Sequence, residues 1–179
     1  MAWPWWVLLA VVVVVLGLWL WWTAHRLDLM HHRIEVSRAA LDAQLLRRSG
    51  VAVELATSGT LDPARSLLLV DAAHEARAAD PDELESAESD LSESLRAVLA
   101  DADELAQLRS RADVGPLLEE LAACCHKVEL ARRFHNDVVV SARALRSRRR
   151  VRWLRLAGRA AELRTVDLDD VPPPALLTD

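Results

Sequence analysis

The chain has 179 residues, a formal net charge of −5, five glycines, no tyrosine and two cysteines. Beyond an apolar amino-terminal run, that length allows one domain with a modest core and excludes several. Abundant Ala, Leu, Arg and Glu point to an all-helical fold, and adjacent cysteines without a second pair exclude a paired-cysteine zinc site.

The first element is the run at residues 7–20, which carries no charge and holds eleven Val and Leu residues. Six of the seven tryptophans bracket it: Trp3, Trp5 and Trp6 on one side, Trp19, Trp21 and Trp22 on the other. Indole has an apolar body and one N–H donor, so it prefers the boundary between hydrocarbon and headgroups. At roughly −0.3 to −0.6 kcal/mol each, the Val and Leu side chains favour insertion by a few kcal/mol. A transmembrane helix at 5–22 is therefore expected, with residues 1–4 as a short extracytoplasmic terminus. A cleaved signal peptide competes with this reading but needs a basic start and a small-residue cleavage site, neither of which is present. A buried core helix needs more surrounding chain than there is. Arg26, Arg33 and Arg38 follow the run and nothing basic precedes it, so the positive-inside rule leaves the body cytoplasmic, on a single-pass protein of the cell membrane.

Helix one is expected to continue out of the bilayer, carrying Leu27, Met30, Ile34, Leu41, Leu45 and Ala52 at three-and-four spacing until Thr57-Ser58-Gly59 stops it. Asp62-Pro63 marks the start of helix two, and Asp80-Pro81 repeats the device for helix three, whose stripe is Leu84, Leu91, Leu95, Val98 and Leu105. Helix four begins near Gly115-Pro116 and steps through Leu117, Leu121, Cys124, Val128, Ala131, His135, Val138, Ala142 and Leu145. Four antiparallel helices over 23–157 are the natural packing. The acidic tail at 158–179, with three consecutive prolines, is expected to be disordered.

Charge is segregated along the chain: residues 80–104 hold ten acids and one Arg, whereas 141–164 hold nine Arg and one Glu. An up-down-up-down bundle returns the end of helix four to the membrane. Arg146, Arg148, Arg149, Arg150, Arg152, Trp153 and Arg155 thereby become candidate contacts for anionic lipid, at about 1 kcal/mol per Arg. A solvated basic helix end is the plainer reading. Nucleic acid is disfavoured, because no binding motif accompanies the basic patch.

RIEVSRAALDAQLLRR at 33–48 resembles the signature of LemA-family membrane proteins, in which Arg and a β-branched residue lead to an apolar-Asp-x-Gln-Leu-x-Arg-Arg segment. ARRFHNDVV at 131–139 is similar to the family's second signature, an Arg followed by aromatic residues, Asn and an apolar position. The matching positions are Arg33, Asp42, Gln44, Leu45, Arg47, Arg48, Arg132, Asn136 and Val139. The chain departs from the family pattern at Arg38, at 49–55 and at His135. The resemblance implies an amino-terminal anchor and an antiparallel helical bundle, a LemA-like fold without catalytic residues to carry over. Helix arithmetic at ~1.5 Å per residue sets Asp42 and Arg132 at one height and Arg38 level with Asp137. Asp42 with Arg132 and Asn136, and Arg38 with Asp137, are the expected partly buried pairs.

Candidate chemistry is thin. Cys124, Cys125 and His126 point about 100° apart on a helix, and buried reduced thiols are the favoured reading over a metal site. His135 reads as a core histidine, and His74-Glu75 lacks the second His of a metalloprotease helix. His25, His31 and His32 read as solvated juxtamembrane residues, with a pH sensor just beyond the membrane as the alternative. No catalytic, cofactor or metal constellation emerges, so the expected function is non-enzymatic: a membrane-tethered scaffold or regulatory partner at the cytoplasmic face. The alternatives are a peripheral anionic-lipid organiser and an enzyme whose site does not show in sequence. Expected partners are the bilayer, a protein of unspecified identity, and a second copy, since a heptad seam can close between two chains.

Overall fold

The computed structural model describes residues 3–146 and 163–177, all helix, turn or extended chain, with no strand among them. The helices are α1 (Trp3–Thr57), α2 (Pro63–Ala78), α3 (Leu84–Val98), α4 (Ala102–Arg109), α5 (Gly115–Arg146) and the single turn α6 (Pro174–Leu177). The all-helical expectation holds for these residues. They belong to two compact units, one of Met1–Val36 with Asp137–Arg164, the other of Ser37–Asn136 with Thr165–Asp179.

In the first unit, the side chains of α1 from Val7 to Leu18 that are described as large and apolar stand 51–61% exposed. Among the described residues no helix is long and apolar enough to cross a membrane. Trp21 stacks on His25, one turn on, at 6.0 Å between ring centroids.

The second unit holds the core. α1 ends as expected, because the Thr57 and Ser58 hydroxyls donate to the carbonyls of Val53 (2.8 Å) and Leu55 (2.7 Å) and Gly59 takes φ 74°. The Asp62 carboxylate caps α2 by accepting from the amides of Ala64 and Arg65, with Pro63 in the first turn. Asp80 does not repeat this role. Its carbonyl accepts from the amides of Glu83 and Leu84, each at 2.9 Å, which makes 80–83 a turn that delivers α3 at Leu84.

The expected third helix is two helices. α3 stops when Leu99 donates to the Leu95 carbonyl, and Asp101, in extended conformation, caps α4 by accepting from Asp103 and Glu104. The break lets Val98 and Leu99 face the core, together with Leu105 and Leu108. α5 opens at Gly115, where a Cβ would lie 2.4 Å from the Arg109 carbonyl oxygen, so only glycine fits this close approach.

Two apolar clusters result. The larger joins Val51 and Leu55 of α1, Leu69 and Ala73 of α2, Leu91 and Leu95 of α3, and Leu118 and Leu121 of α5. The smaller joins Leu41 and Leu45 of α1 and Val128 of α5 to Val166 and Leu168. Each fully buried Leu or Val contributes roughly 1.5–3 kcal/mol. The seam of α5 runs through Leu118 and Val139, fully buried, where Leu117 and Val138 were expected and are half-exposed.

Val166 and Leu168 belong to the segment expected to be disordered. It is instead an extended strap over residues 163–173 followed by α6, with Val166, Leu168, Asp170, Ala175 and Leu176 buried. Composition misleads here because the apolar side chains are interspersed with carboxylates, two of which, Asp169 and Asp170, find specific partners.

Candidate functional site

The chemistry of the second unit is concentrated where the strap lies on α3 and α5. Glu88, Ser89, Ser92 and Arg96 recur at three-and-four spacing on α3, and Arg132 and Asn136 share a face of α5, so each helix presents a row of polar groups.

At the base is a buried ion pair. Arg48 and Glu88 are 1% and 2% exposed, with Arg48 Nη2 2.6 Å from Glu88 Oε2. Arg48 also donates to the Glu88 carbonyl (3.1 Å) and, through Nη1, to Ser92 Oγ (2.9 Å). Its Nε is buried without a hydrogen-bond partner. Burial raises the Glu88 carboxyl above the usual range and outweighs the opposing pull of Arg48.

The strap sits above this pair. Ser92 Oγ lies 2.7 Å from the Asp169 carbonyl and 3.0 Å from the Glu88 carbonyl, and its single hydrogen serves one of them at a time. The Asp169 amide donates to Ser89 Oγ at 3.0 Å. Arg96 donates to Asp169 Oδ2 (2.5 Å) and to the Val171 carbonyl (2.8 Å). The Arg96 guanidinium thus holds the Asp169 carboxyl below its ordinary range, against a smaller contrary effect of burial. Arg132 forks onto Asp170 with Nε to Oδ2 at 2.6 Å and Nη2 to Oδ1 at 3.0 Å; this bidentate pairing raises Arg132. The side-chain amide of Asn136 meets both backbone groups of Val166, donating to its carbonyl and accepting from its N–H, each at 2.9 Å. Farther along, Arg109 donates to the Leu176 carbonyl at 2.7 Å. The arrangement holds an extended acidic peptide by its backbone, its carboxylates and two apolar side chains at once.

Beside it is a cleft of about 330 Å³ lined in part by Arg38, Asp42, Ser49, Arg77, Leu84 and Glu88. Its charged groups are of both signs and balance locally. No group of acidic, His or Cys side chains suited to a metal ion occurs among the described residues.

The expected charge pairs do not form as drawn. Asp42 pairs with Arg38 one turn away, at 3.0 Å and partly exposed, while Arg132 and Asn136 are engaged by Asp170 and Val166. The guanidinium assigned to Asp137 is therefore the one that meets Asp42. Equal height along two helices does not fix which way side chains point, and the strap supplies closer acceptors. Of the other signature positions, Leu45 and Val139 are buried, Gln44 is half-buried, Arg33 is exposed and Arg47 pairs with Glu120. His135 is 2% exposed and its Nδ1 lies 2.9 Å from Ser37 Oγ. Cys124 and Cys125 are free, buried thiols that burial pushes up from their usual range.

Trp5, Trp6, Trp21 and Trp22 are 58–74% exposed, and Trp19 is half-buried. The side chains of Trp3 and Arg146 are outside the described set, as are residues 148–150, 152, 153 and 155 entirely, so the proposed lipid segment lies outside the described residues. Ser89, Ser92 and Arg96 were missed from sequence, although the alternation of apolar and acidic residues over 166–170 was there to be matched against them. No protein-family model, curated protein or solved structure matches the chain.

Proposed function

We propose that this is a single-pass membrane protein of LemA type, a non-enzymatic scaffold or regulatory partner whose helical body works at the cytoplasmic face. One observation carries the membrane reading: Val and Leu side chains on every face of α1 between residues 7 and 18 are more than half exposed. In water such a surface is costly, at roughly 25 cal/mol per Å² of apolar area. Hydrocarbon removes that cost. Residues 3–22 hold no charged side chain and α1 runs through all of them, which at ~1.5 Å per residue is about 30 Å of helix, the thickness of a bilayer core. The bracketing tryptophans and the arginines that follow suit the two interfaces and the orientation. For the non-enzymatic part, the polar side chains beneath the strap are engaged by one another and by the strap itself, as in a binding protein.

Alkaline carbonate extraction of membranes from cells making the full chain tests the anchor. The protein is expected in the pellet, and a variant lacking residues 3–22 in the supernatant. Release of the full chain by carbonate, or digestion of its body by protease added outside intact cells, overturns the reading.

A further inference from the structure

We propose that the groove of α3 and α5 is a recognition site for an extended acidic peptide of a partner protein, filled in cis by the chain's own residues 165–171. This rests on the scaffold reading above and names the class of partner. Three features of the contact are those of peptide recognition.

The backbone of the strap is read without regard to its side chains: Asn136 engages both groups of Val166, and Ser89 and Ser92 engage the amide and carbonyl of Asp169. Its carboxylates are read separately, Asp170 by the Arg132 fork and Asp169 by Arg96. Its apolar side chains, Val166 and Leu168, enter the cluster of Leu41, Leu45 and Val128. Alternate side chains in pockets with main-chain bonds between them is how extended peptides are generally bound. The specified ligand is therefore apolar-x-apolar-Asp-Asp in extended form.

The helices do not need the strap to meet each other, because the larger core is built from α1 to α5, with only Ala175 and Leu176 added from the carboxy-terminal segment. A ligand tethered to its own site acts at an effective concentration on the order of millimolar. A free peptide of equal intrinsic affinity is then outcompeted about a hundredfold at ten micromolar. A partner succeeds where it is membrane-bound and concentrated, or carries a better acidic run.

The test uses the full chain in detergent micelles and a fluorescent synthetic peptide of residues 163–177. Asp169→Asn with Asp170→Asn in the chain removes both carboxylate contacts of the tethered strap while the peptide keeps them. The expected result is peptide binding at least tenfold tighter than to the unaltered chain, lost again when Arg132→Asp is added and absent for a peptide with both Asp replaced by Asn. No binding to a doubly substituted chain that retains its helical circular dichroism overturns the proposal. Should that variant not fold, isotope-labelled peptide at millimolar concentration is added to the unaltered chain. Faster amide exchange in the native 163–177 segment supports displacement, and unchanged exchange overturns it. Dimers of the unaltered chain held by exchanged tails would assign the groove to a second copy and equally overturn it. A chain that pellets with membranes yet fails these assays loses the inference and keeps its anchor.

Discussion

Replacing Glu88 by Ala probes the buried pair that underlies the site. The substitution removes the 2.6 Å contact to Arg48, whose side chain is 1% exposed and whose Nε already lacks a partner. Breaking one side of a buried pair costs about 3–5 kcal/mol, because a charge stays behind without compensation. The Glu88 carbonyl and Ser92 Oγ still accept from Arg48, which places this case near the lower end, about 3 kcal/mol. For a body of this size 1 kcal/mol moves the melting temperature by roughly 2–4 °C, so a fall of about 6–12 °C is expected by circular dichroism at 222 nm. Arg48→Met with Glu88→Leu deletes both charges and refills the volume; buried pairs exchanged in this way are neutral or more stable. The double variant should therefore melt well above Glu88→Ala. If Glu88→Ala costs less than about 1 kcal/mol, or if the double variant melts no higher, the pair is not the buried, mutually compensating unit described above.

Arg132→Ala deletes the fork onto Asp170 in a partly exposed setting, and a loss of about 1–2 kcal/mol is expected. Arg132→Lys should recover only part of it, since an ammonium cannot make both parallel bonds, and amide exchange across residues 165–171 should rise in both variants. Gly115→Ala places a Cβ 2.4 Å from a backbone oxygen and should cost about 1–3 kcal/mol through displaced backbone. Gly59→Ala meets open space and carries only the strain of φ 74°, about 1 kcal/mol, so the reverse ranking in thermal melts would contradict the geometry at α5. Because Arg96 depresses the Asp169 carboxyl, the unfolded chain takes up that proton first as pH falls. The contribution of the contact is complete above about pH 4, the unperturbed value, and is lost as pH drops through the depressed folded value. Exchange protection of the Val171 amide, which donates to Asp169 Oδ1, should hold from neutral pH down to about 4 and fail below it; failure already at pH 6 would point to a different group.

Local signals were legible in the sequence. Asp62-Pro63 caps α2 as read, and Thr57-Ser58-Gly59 stops α1, because each uses side chains within three or four residues of the groups they satisfy. Over the described side chains the stripes of α1 and α5 were legible by period, Leu27 and Leu145 lying outside that set, with a one-position slip at Leu118 and Val139 that tertiary packing decides. The break between α3 and α4 was hidden by a continuous helix-forming composition, although Asp101, Asp103 and Glu104 spell a capped start with acids in the first turn. Asp80-Pro81 shows the converse: the same dipeptide as at Asp62 makes a turn, since Glu83 and Leu84 reach its carbonyl. The charge pairs were illegible for a different reason. Axial height is arithmetic on one helix, whereas azimuth and competition are properties of the whole fold.

Ser92 shows why the strap could not be read from composition and why it matters. Its hydroxyl accepts from Arg48 on one side and lies within hydrogen-bond reach of the Asp169 carbonyl on the other. One oxygen thereby links the buried pair to the peptide above it. A compositional rule counts the acids of the tail as mutually repulsive and solvated. Here Asp169 and Asp170 each meet a guanidinium from a separate helix, and the backbone amide and carbonyl of Asp169 meet two serines of α3. Repulsion is replaced by four specific contacts, which offset the ordering of an extended segment at ~1–2 kcal/mol per residue only when combined with the burial of Val166 and Leu168. An acidic peptide lacking either the apolar pair or the carboxylates therefore gains too little to displace the strap, and the requirement for both gives the groove its selectivity.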